Sequence, residues 1–435
     1  MSAADRRRTT KTQRTQRLHK GLKENWAARI FVSTLCSLCL CGSLLAADWP
    51  QWLGPERNGA SVETGLLQSW PKEGPPVVWQ REVGDGFSGP VVAGDWLILF
   101  HRVGDEEVVQ ALDTPNGRER WKFAYTTRYR DLLGKGNGPR STPLVAGKRV
   151  YTLGAEGRMH CLELETGKQV WERALNDDYR VRQGFFGVGT SPLVEGNLVL
   201  VNVGGKEAGA GIVALDKDTG KEVWKATRDE ASYSSPVVAT LDGTRSVIFF
   251  TREGLQALDP ATGAVRFGKH WRSRLDASVN AATPLVIDGH VFLTACYGTG
   301  AVLLKVRKDG VDEVWQSDDV LSAHYGTPVR QGDFLYGFDG RQEEGPRLRC
   351  VEWKTGKVRW TQEGFGCGSL VLADGNLFAL TEAGDLILVE ATASVYHEKA
   401  RASVLGGPCR AQLALADGRL YGRGAGRLVC WNVKK

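Results

Sequence analysis

The chain lacks the short motifs that many enzymes and metal sites show in sequence. None of its 435 residues belongs to a His-Glu-x-x-His motif or a Gly-x-Ser-x-Gly nucleophile elbow, and its seven histidines are scattered. After residue 47 no two cysteines are adjacent and no Cys-x-x-Cys occurs, so a zinc site is not expected. No paired carboxylates single out a hydrolase or a sugar-binding site. We therefore assign no catalytic residue and no metal ligand.

A helical period of 3.6 residues is also missing from residues 48–435, and a longer repeat takes its place. The clearest copy begins at Ala214-Leu215-Asp216 and ends at the turn residue Gly220 and at Trp224. The aromatic residues that end the copies recur about every 45 residues, which is typical of propellers, solenoids and repeat arrays. They are Trp79, Trp121, Trp171, Trp224, Phe267, Trp315, Trp360 and, in a degraded copy, Tyr396.

Each repeat fits four short strands. A Ser/Thr-Pro pair such as Thr142-Pro143 opens the first strand, where proline is tolerated. The third strand carries the Ala-Leu-Asp phrase, and a Thr-Gly hairpin leads to the fourth strand and its aromatic residue. Since a four-stranded blade must bury its faces against its neighbours, the large aromatic side chain needs a small partner, and Ala or Cys at the first position of the phrase provides it.

These copies, written Ala-Leu-Asp-x-x-Thr-Gly-x-x-x-Trp, resemble the tryptophan-docking motif of the pyrroloquinoline-quinone (PQQ) type β-propellers. That family includes quinoprotein alcohol dehydrogenases and BamB-like outer-membrane assembly lipoproteins. The opening Asp48-Trp49-Pro50-Gln51-Trp52 also resembles the start of PQQ-binding-like propeller proteins. The resemblance covers roughly residues 48–435 and implies an all-β fold with tryptophan docking at Trp79, Trp121, Trp171, Trp224, Phe267, Trp315 and Trp360.

The copies predict eight four-stranded antiparallel blades within residues 77–435, preceded by a lead-in segment at 48–76. The last blade lacks a fourth strand, which residues 77–81 can supply and so close the ring without exposed edges. The alternative is seven blades followed by a loose C-terminal hairpin.

The first 47 residues have the pattern of a secretory signal peptide. Nine Lys/Arg and two acidic residues lie at 5–29, an apolar run follows at 30–45, and Ala46-Ala47 ends the segment. The run is slightly short for a membrane span, and an uncleaved anchor is the alternative. Of the 56 basic and 50 acidic residues of the chain, 47 and 48 then remain, a net charge of −1, so the positive charge of the whole chain comes from the leader. We expect a periplasmic or secreted protein that does not bind nucleic acid, contacts a membrane only through such an anchor, and is a monomer.

Residues just before the first strand of each blade should surround one mouth of the central channel, where long loops favour a binding site. The ligand-binding candidates at this mouth are Arg140, Phe186, Tyr233, Asn280, His324, Tyr325 and Arg410. For each of them, a role in loop packing is the alternative.

Cys367 and Cys409 precede the first strands of the last two blades. On adjacent inner strands their separation could fall in the disulfide range, so they form a candidate disulfide pair. The alternative is two unrelated small residues in Gly-rich loops.

Two functions remain open. The resemblance favours a non-catalytic propeller of the cell envelope, BamB-like, that binds an envelope protein or a small ligand at the channel mouth and needs no assigned cofactor. The alternative is a quinoprotein dehydrogenase with PQQ and Ca²⁺. Against it, the chain has no adjacent cysteine pair, and neither calcium ligands nor an aspartate base can be placed.

Overall fold

Eight four-stranded antiparallel sheets contain all but a few residues of the regular structure. The computed structural model describes residues 48–424 and 426–435. Blades 1 and 2 contain β2 (Val91–Ala93), β3 (Trp96–Val103), β4 (Glu106–Asp113), β5 (Glu119–Thr126), β6 (Leu144–Ala146), β7 (Arg149–Leu153), β8 (Arg158–Glu163) and β9 (Gln169–Ala174). Blades 3 and 4 contain β10 (Leu193–Glu195), β11 (Leu198–Gly205), β12 (Ala210–Asp216), β13 (Glu222–Ala226), β14 (Val237–Leu241), β15 (Thr244–Phe250), β16 (Gly254–Leu258) and β17 (Val265–His270).

The remaining blades follow the same order. Blades 5 and 6 contain β18 (Leu285–Ile287), β19 (His290–Ala295), β20 (Gly300–Arg307), β21 (Gly310–Ser317), β22 (Val329–Gln331), β23 (Phe334–Asp339), β24 (Arg347–Glu352) and β25 (Lys357–Gln362). Blades 7 and 8 contain β26 (Gly368–Ala373), β27 (Asn376–Thr381), β28 (Asp385–Glu390), β29 (Glu398–Ser403), β30 (Ala414–Ala416), β31 (Arg419–Gly424), β32 (Arg427–Asn432) and β1 (Val77–Glu82). A single helical turn, α1 (Leu175–Asp178), and a 3₁₀ turn at Gln342–Glu344 lie in loops.

Blade 8 closes the ring with strands from both ends of the propeller. β1 pairs antiparallel with β32, and Trp79 lies opposite Cys430. The predicted eight blades and the predicted closing strand are therefore confirmed, and the seven-blade alternative is wrong. Closure removes the two open edges that a linear array of sheets would expose.

The docking aromatics join neighbouring blades through the indole ring and its N–H. Trp224 Nε1 donates to the carbonyl of Pro260 in the next blade at 3.1 Å, and Trp171 Nε1 donates to that of Lys217 at 2.9 Å. The indole of Trp224 lies against Gly263, where an added Cβ would stand 2.4 Å from the ring and where φ is +72°. The repeat glycine is thus required both for the turn and for the close approach of the indole.

In six of the eight blades the small residue of the phrase faces the aromatic residue of its own blade, whereas in blade 5 Leu303 lies opposite Trp315. Ala214 pairs with Trp224, and Cys350 pairs with Trp360. Cys161 and Cys430 occupy the same register position in blades 2 and 8, and all of these cysteines are buried. They are core residues that leave room for an indole, as the sequence predicted.

Blade 7 departs from the pattern. The residue opposite Leu388 at the docking position is Ala400, whereas Tyr396 precedes β29. The ring of Tyr396 packs at 5.7 Å from that of Trp360, on the blade 6 side. The prediction that Tyr396 ends the seventh copy is therefore wrong, because the strand begins two residues after it.

The Ser/Thr-Pro pairs have a role that the repeat alone did not reveal. Thr142 N donates to Ser191 Oγ at 2.9 Å, Ser191 N donates to Ser235 Oγ at 2.9 Å, and Thr283 N donates to Thr327 Oγ1 at 2.9 Å. Each hydroxyl thus satisfies an N–H of the preceding blade near the axis, where no ladder partner is available. These hydrogen bonds link the inner strands of neighbouring blades at the end of the channel where the mouth begins.

The predicted signal peptide or anchor at 1–47 lies outside the described residues. Within 48–424 and 426–435, no helix is both long enough and apolar enough to cross a membrane.

Candidate functional site

The residues that precede the first strands converge on one cavity at the mouth of the channel. Its volume is about 160 Å³. Six of the seven predicted binding residues line it, namely Arg140, Phe186, Tyr233, His324, Tyr325 and Arg410, together with Trp52, Phe87, Lys135, Gly189, Val279, Ala281 and Gln342. The topology brings them together because each inner strand starts at the same end of the channel.

Asn280 is the exception among the predicted residues. Its side chain is buried and donates through Nδ2 to the carbonyl of Thr251 at 2.9 Å. Its own carbonyl accepts from the N–H groups of Tyr233 and Ser234. Asn280 therefore holds two loops together and does not face the cavity, so its assignment as a ligand contact is wrong.

Trp52 forms the floor of the cavity and was not predicted as a site residue. It belongs to the lead-in segment, residues 48–76. Part of that segment, residues 48–61, crosses the channel and forms what we call the plug. The plug is bound to blade 1 by a bridge between Trp49 and Val92, and to blade 7 by Ser61 N, which donates to the carbonyl of Leu372 at 2.8 Å. Trp52 Nε1 donates to Thr283 Oγ1 of blade 5 at 2.8 Å. The tryptophan-rich opening, which stands outside the repeat, was the available signal.

Arg140 is held rigidly at the wall of the cavity. Its Nε donates to the carbonyl of Phe186 at 2.8 Å, and one Nη donates to Asp131 at 3.0 Å. The guanidinium carbon also lies 5.2 Å from the ring centre of Phe87 and 5.5 Å from that of Phe186. These contacts join two long loops, so Arg140 fulfils the loop-packing role while it keeps a charge at the mouth.

Arg410 ends a short polar chain that also reaches Phe87. Its Nε donates to Glu382, and its guanidinium carbon is 5.4 Å from the ring centre of Phe87. Cys367 Sγ contacts Glu382 at 3.3 Å and Tyr325 Oη at 3.1 Å. Burial raises the pKa of Cys367 to about 12, and burial raises the pKa of Tyr325 well above its usual value. Neither group supplies a nucleophile or a base near neutral pH.

The candidate disulfide between Cys367 and Cys409 is not formed. Both thiols are free, and Cys409 Sγ contacts the carbonyl of Gly406 at 3.3 Å. Cys409 lies among the apolar core residues of blade 8, whereas Cys367 belongs to the core between blades 6 and 7. Neighbouring blades place the two positions on different packing interfaces, which explains why the spacing argument was wrong.

His324 is neutral in this setting. Burial lowers the pKa of His324, and both ring nitrogens are engaged, with Tyr297 Oη at 2.8 Å from Nε2 and Gln342 Oε1 at Nδ1. The mouth thus combines aromatic walls with three cationic side chains and no paired acid and base. The arrangement can bind and orient a ligand.

The calcium-bound PQQ that the quinoprotein resemblance implies does not fit these residues. In the part of the chain that the structure describes, no group of three or more His, Cys, Asp or Glu could hold a metal ion. The carboxylates that contact the arginines of the mouth, Asp131 and Glu382, are bound to Arg140 and Arg410. A carboxylate that is committed to a guanidinium is a poor calcium ligand and a poor general base.

Comparison with known proteins agrees with the blade pattern. A BamB from Burkholderia pseudomallei is 25% identical over 321 residues, which are 69% of this chain and 77% of the relative. The quinohemoprotein alcohol dehydrogenase ADH-IIG of Pseudomonas putida is 30% identical over 135 residues, 29% of this chain and 18% of that enzyme. The crystal structure of BamB from Moraxella catarrhalis superposes with a TM-score of 0.59 at 17% identity, over 82% of this chain and 98% of that one.

The family profile described as outer membrane protein assembly factor BamB matches residues 105–362, which is more than half of the chain. The match runs from the third strand of blade 1 to the last strand of blade 6. This chain therefore belongs to the BamB family of PQQ-like β-propellers.

Proposed function

We propose that this chain is an extracytoplasmic, non-catalytic β-propeller of the cell envelope that binds a partner at its open mouth, as a scaffold or binding module. The observation that carries the proposal is the mouth itself. Its two arginines are fixed by ion pairs and a backbone carbonyl, and partial or full burial shifts the pKa values of its thiol, phenol and imidazole so that these groups are neutral at pH 7. Such a site is built to hold a ligand, because no nucleophile stands beside a base.

The location rests on the leader and on the family. A basic stretch, an apolar run and an Ala-Ala boundary precede residue 48, and the family profile bears the name of an outer-membrane assembly factor. An envelope protein that takes part in outer-membrane assembly is therefore the first candidate partner. A small ligand at the mouth is the second, and the two can use the same face.

The first experiment distinguishes a non-catalytic binding module from a quinoprotein dehydrogenase. Purified protein is incubated with PQQ and Ca²⁺, desalted, and examined for retained absorbance and for dye reduction with alcohols and sugars. We expect neither. Retained PQQ with substrate-dependent dye reduction would show that the protein is a dehydrogenase.

The second experiment addresses the partner. A photo-crosslinking amino acid is placed at Leu132, which is exposed on a loop of the mouth, and at Lys148, which is exposed on the turn at the other end of β6. In the native envelope we expect a discrete crosslinked species from position 132 and none from 148, identified by mass spectrometry as an envelope protein. Equal crosslinking from both positions would contradict the proposal that the partner binds at the mouth.

A further inference from the structure

The mouth cavity has features that specify the chemistry of a ligand. We infer that it binds a small aromatic carboxylate, which means one flat apolar ring that carries a single anionic group. The inference rests on the proposed binding function of the same mouth and goes beyond it by naming a ligand class.

Size and shape define the apolar part of the ligand. The cavity of about 160 Å³ is lined by the indole of Trp52 and by the rings of Phe87 and Phe186. Tyr233 meets Phe186 edge to face, with ring centres 5.7 Å apart. A cavity of about 150 Å³ holds one benzene molecule, while drug-sized ligands usually need about 300 Å³ or more. One aromatic ring fills the space and two rings do not.

Charge defines the polar part. Lys135, Arg140 and Arg410 line the cavity, and no carboxylate does. Among the described residues, Arg410 donates only through Nε, and the ammonium of Lys135 has no acceptor within hydrogen-bond distance. Since His324 is neutral, the free donors belong to the two arginines and Lys135. A guanidinium with free terminal nitrogens matches the two oxygens of a carboxylate.

The site is already organised for such a ligand. Arg140 is fixed by Phe186 and Asp131, Arg410 is fixed by Glu382, and Trp52 is fixed by Thr283. Because contacts within the protein already restrict these side chains, little conformational entropy is lost on binding. The ring would lie on Trp52 and the anionic group would point to Arg410 and Lys135.

Isothermal titration with matched probes tests the inference. The probes are 3-phenylpropionate, its neutral amide 3-phenylpropanamide, and acetate, which has the charge without the ring. We expect saturable binding of one 3-phenylpropionate per chain, and at least tenfold weaker binding of the amide and of acetate. Equal affinity for the acid and the amide, or no binding of the acid, would overturn the inference.

Two variants test which cationic side chains bind the anionic group of the ligand. Arg410→Gln should weaken binding of 3-phenylpropionate by about 10- to 100-fold, as expected for loss of a charged hydrogen bond, and leave binding of the amide unchanged. Lys135→Gln should weaken it less, and since Lys135 is exposed and unpaired it carries no folding risk. Lys148→Gln makes the same charge change at the other end of blade 2 and should have no effect. Unchanged affinity in both mouth variants, with melting curves like the parent, would contradict the assignment.

The outcomes separate this inference from the function on which it rests. If 3-phenylpropionate does not bind and PQQ gives no dye reduction, the ligand class is wrong and the non-catalytic module stands. If PQQ supports dye reduction, the proposed function fails whatever the titrations show.

Discussion

Seven of the eight junctions between neighbouring blades contain an aromatic side chain from the fourth strand, and the junction between blades 7 and 8 does not. At the junction of blades 3 and 4, Trp224 lies on the turn glycine of the next blade and donates to a carbonyl in that turn. At the junction of blades 7 and 8 the register position holds Ala400. The difference follows from how the ring closes.

Blade 8 has no hairpin to receive an indole. Its third and fourth strands, β32 and β1, come from opposite ends of the described chain, so no turn with a glycine and a free carbonyl joins them. The lead-in segment covers this junction instead. Trp70 stacks on Phe378 with ring centres 6.2 Å apart, and Leu67 N donates to the carbonyl of Val433 at 2.7 Å. At this junction, the aromatic docking contact that recurs at the other junctions is replaced by contacts of the lead-in segment that occur only here.

The largest expected effect comes from removing the whole closing element. Deletion of residues 48–82 removes β1, the plug and Trp70, and it leaves β32 with an unpaired edge. We expect the shortened protein to aggregate or to lack cooperative unfolding, measured by size-exclusion chromatography and thermal melting. Deletion of 48–76 alone keeps β1 and should fold with reduced stability. A monomeric, cooperatively folded 48–82 deletion would contradict the importance of closure.

Single substitutions compare the two kinds of junction directly. Trp224 is 8% exposed, and Trp224→Ala should lower the free energy of unfolding by about 3–5 kcal/mol, as for other large core truncations. Trp70 is only partly buried, and its Nε1 has no hydrogen-bond partner among the described residues, so Trp70→Ala should have less than half that effect. Denaturant titration measures both. Similar losses of unfolding free energy for the two variants would mean that the junction of blades 7 and 8 is as strong as the junction of blades 3 and 4.

A smaller effect is expected from pH at the junction of blades 8 and 1. Burial and, to a smaller extent, the nearby Arg423 together lower the pKa of His101 to about 4. His101 Nδ1 accepts from Gly84 N at 2.8 Å, so it must be neutral in the folded state. Because the folded pKa lies below the unfolded value of about 6.5, the unfolded chain binds more protons between these values. Stability is full above about pH 6.5 and falls as the pH drops to about 4, by on the order of 3 kcal/mol.

Two histidine variants locate this effect. His101→Asn keeps an acceptor for Gly84 and should flatten the dependence of the melting temperature on pH between about 6.5 and 4. His160, buried between blades 1 and 2, has a pKa that burial likewise lowers to about 4, so His160→Gln serves as the matched change away from the closing junction. If neither variant changes the slope, other groups govern the acid response.

The smallest effect concerns the thiols. Six cysteines of the described chain are free and buried, so thiol counting on the protein from residue 48 onward, unfolded without reductant, should give six. Reductant should leave the melting temperature unchanged. A count of four would restore a disulfide and, if mapped to Cys367 and Cys409, would add a covalent tie between blades 7 and 8.

The amount of structure that could be predicted differs between the repeat and the site. The period and the Thr-Gly-Trp phrase were sufficient to predict the number of blades, the closing strand and the buried cysteines that lie opposite three of the indoles. Arg140 and Arg410 could be predicted to line the mouth from their positions just before first strands, since every inner strand starts at the same mouth. The same position did not predict where the side chain of Asn280 points, because that direction depends on the conformation of the loop. The repeat did not predict the role of Tyr396, because the start of β29 could not be located in a degraded copy.

By itself, the sequence determined the ring. Repeated local preferences for turns, strands and aromatic docking agree in most of the blades, and such agreement favours an architecture that buries every face. Only the tertiary structure decided that Trp52 enters the channel and forms the floor of the mouth, that the Ser/Thr hydroxyls link blade to blade, and that Cys367 and Cys409 belong to separate cores. These features depend on contacts between residues far apart in the chain, such as Trp52 with Thr283, and no local pattern encodes a partner more than two hundred residues away.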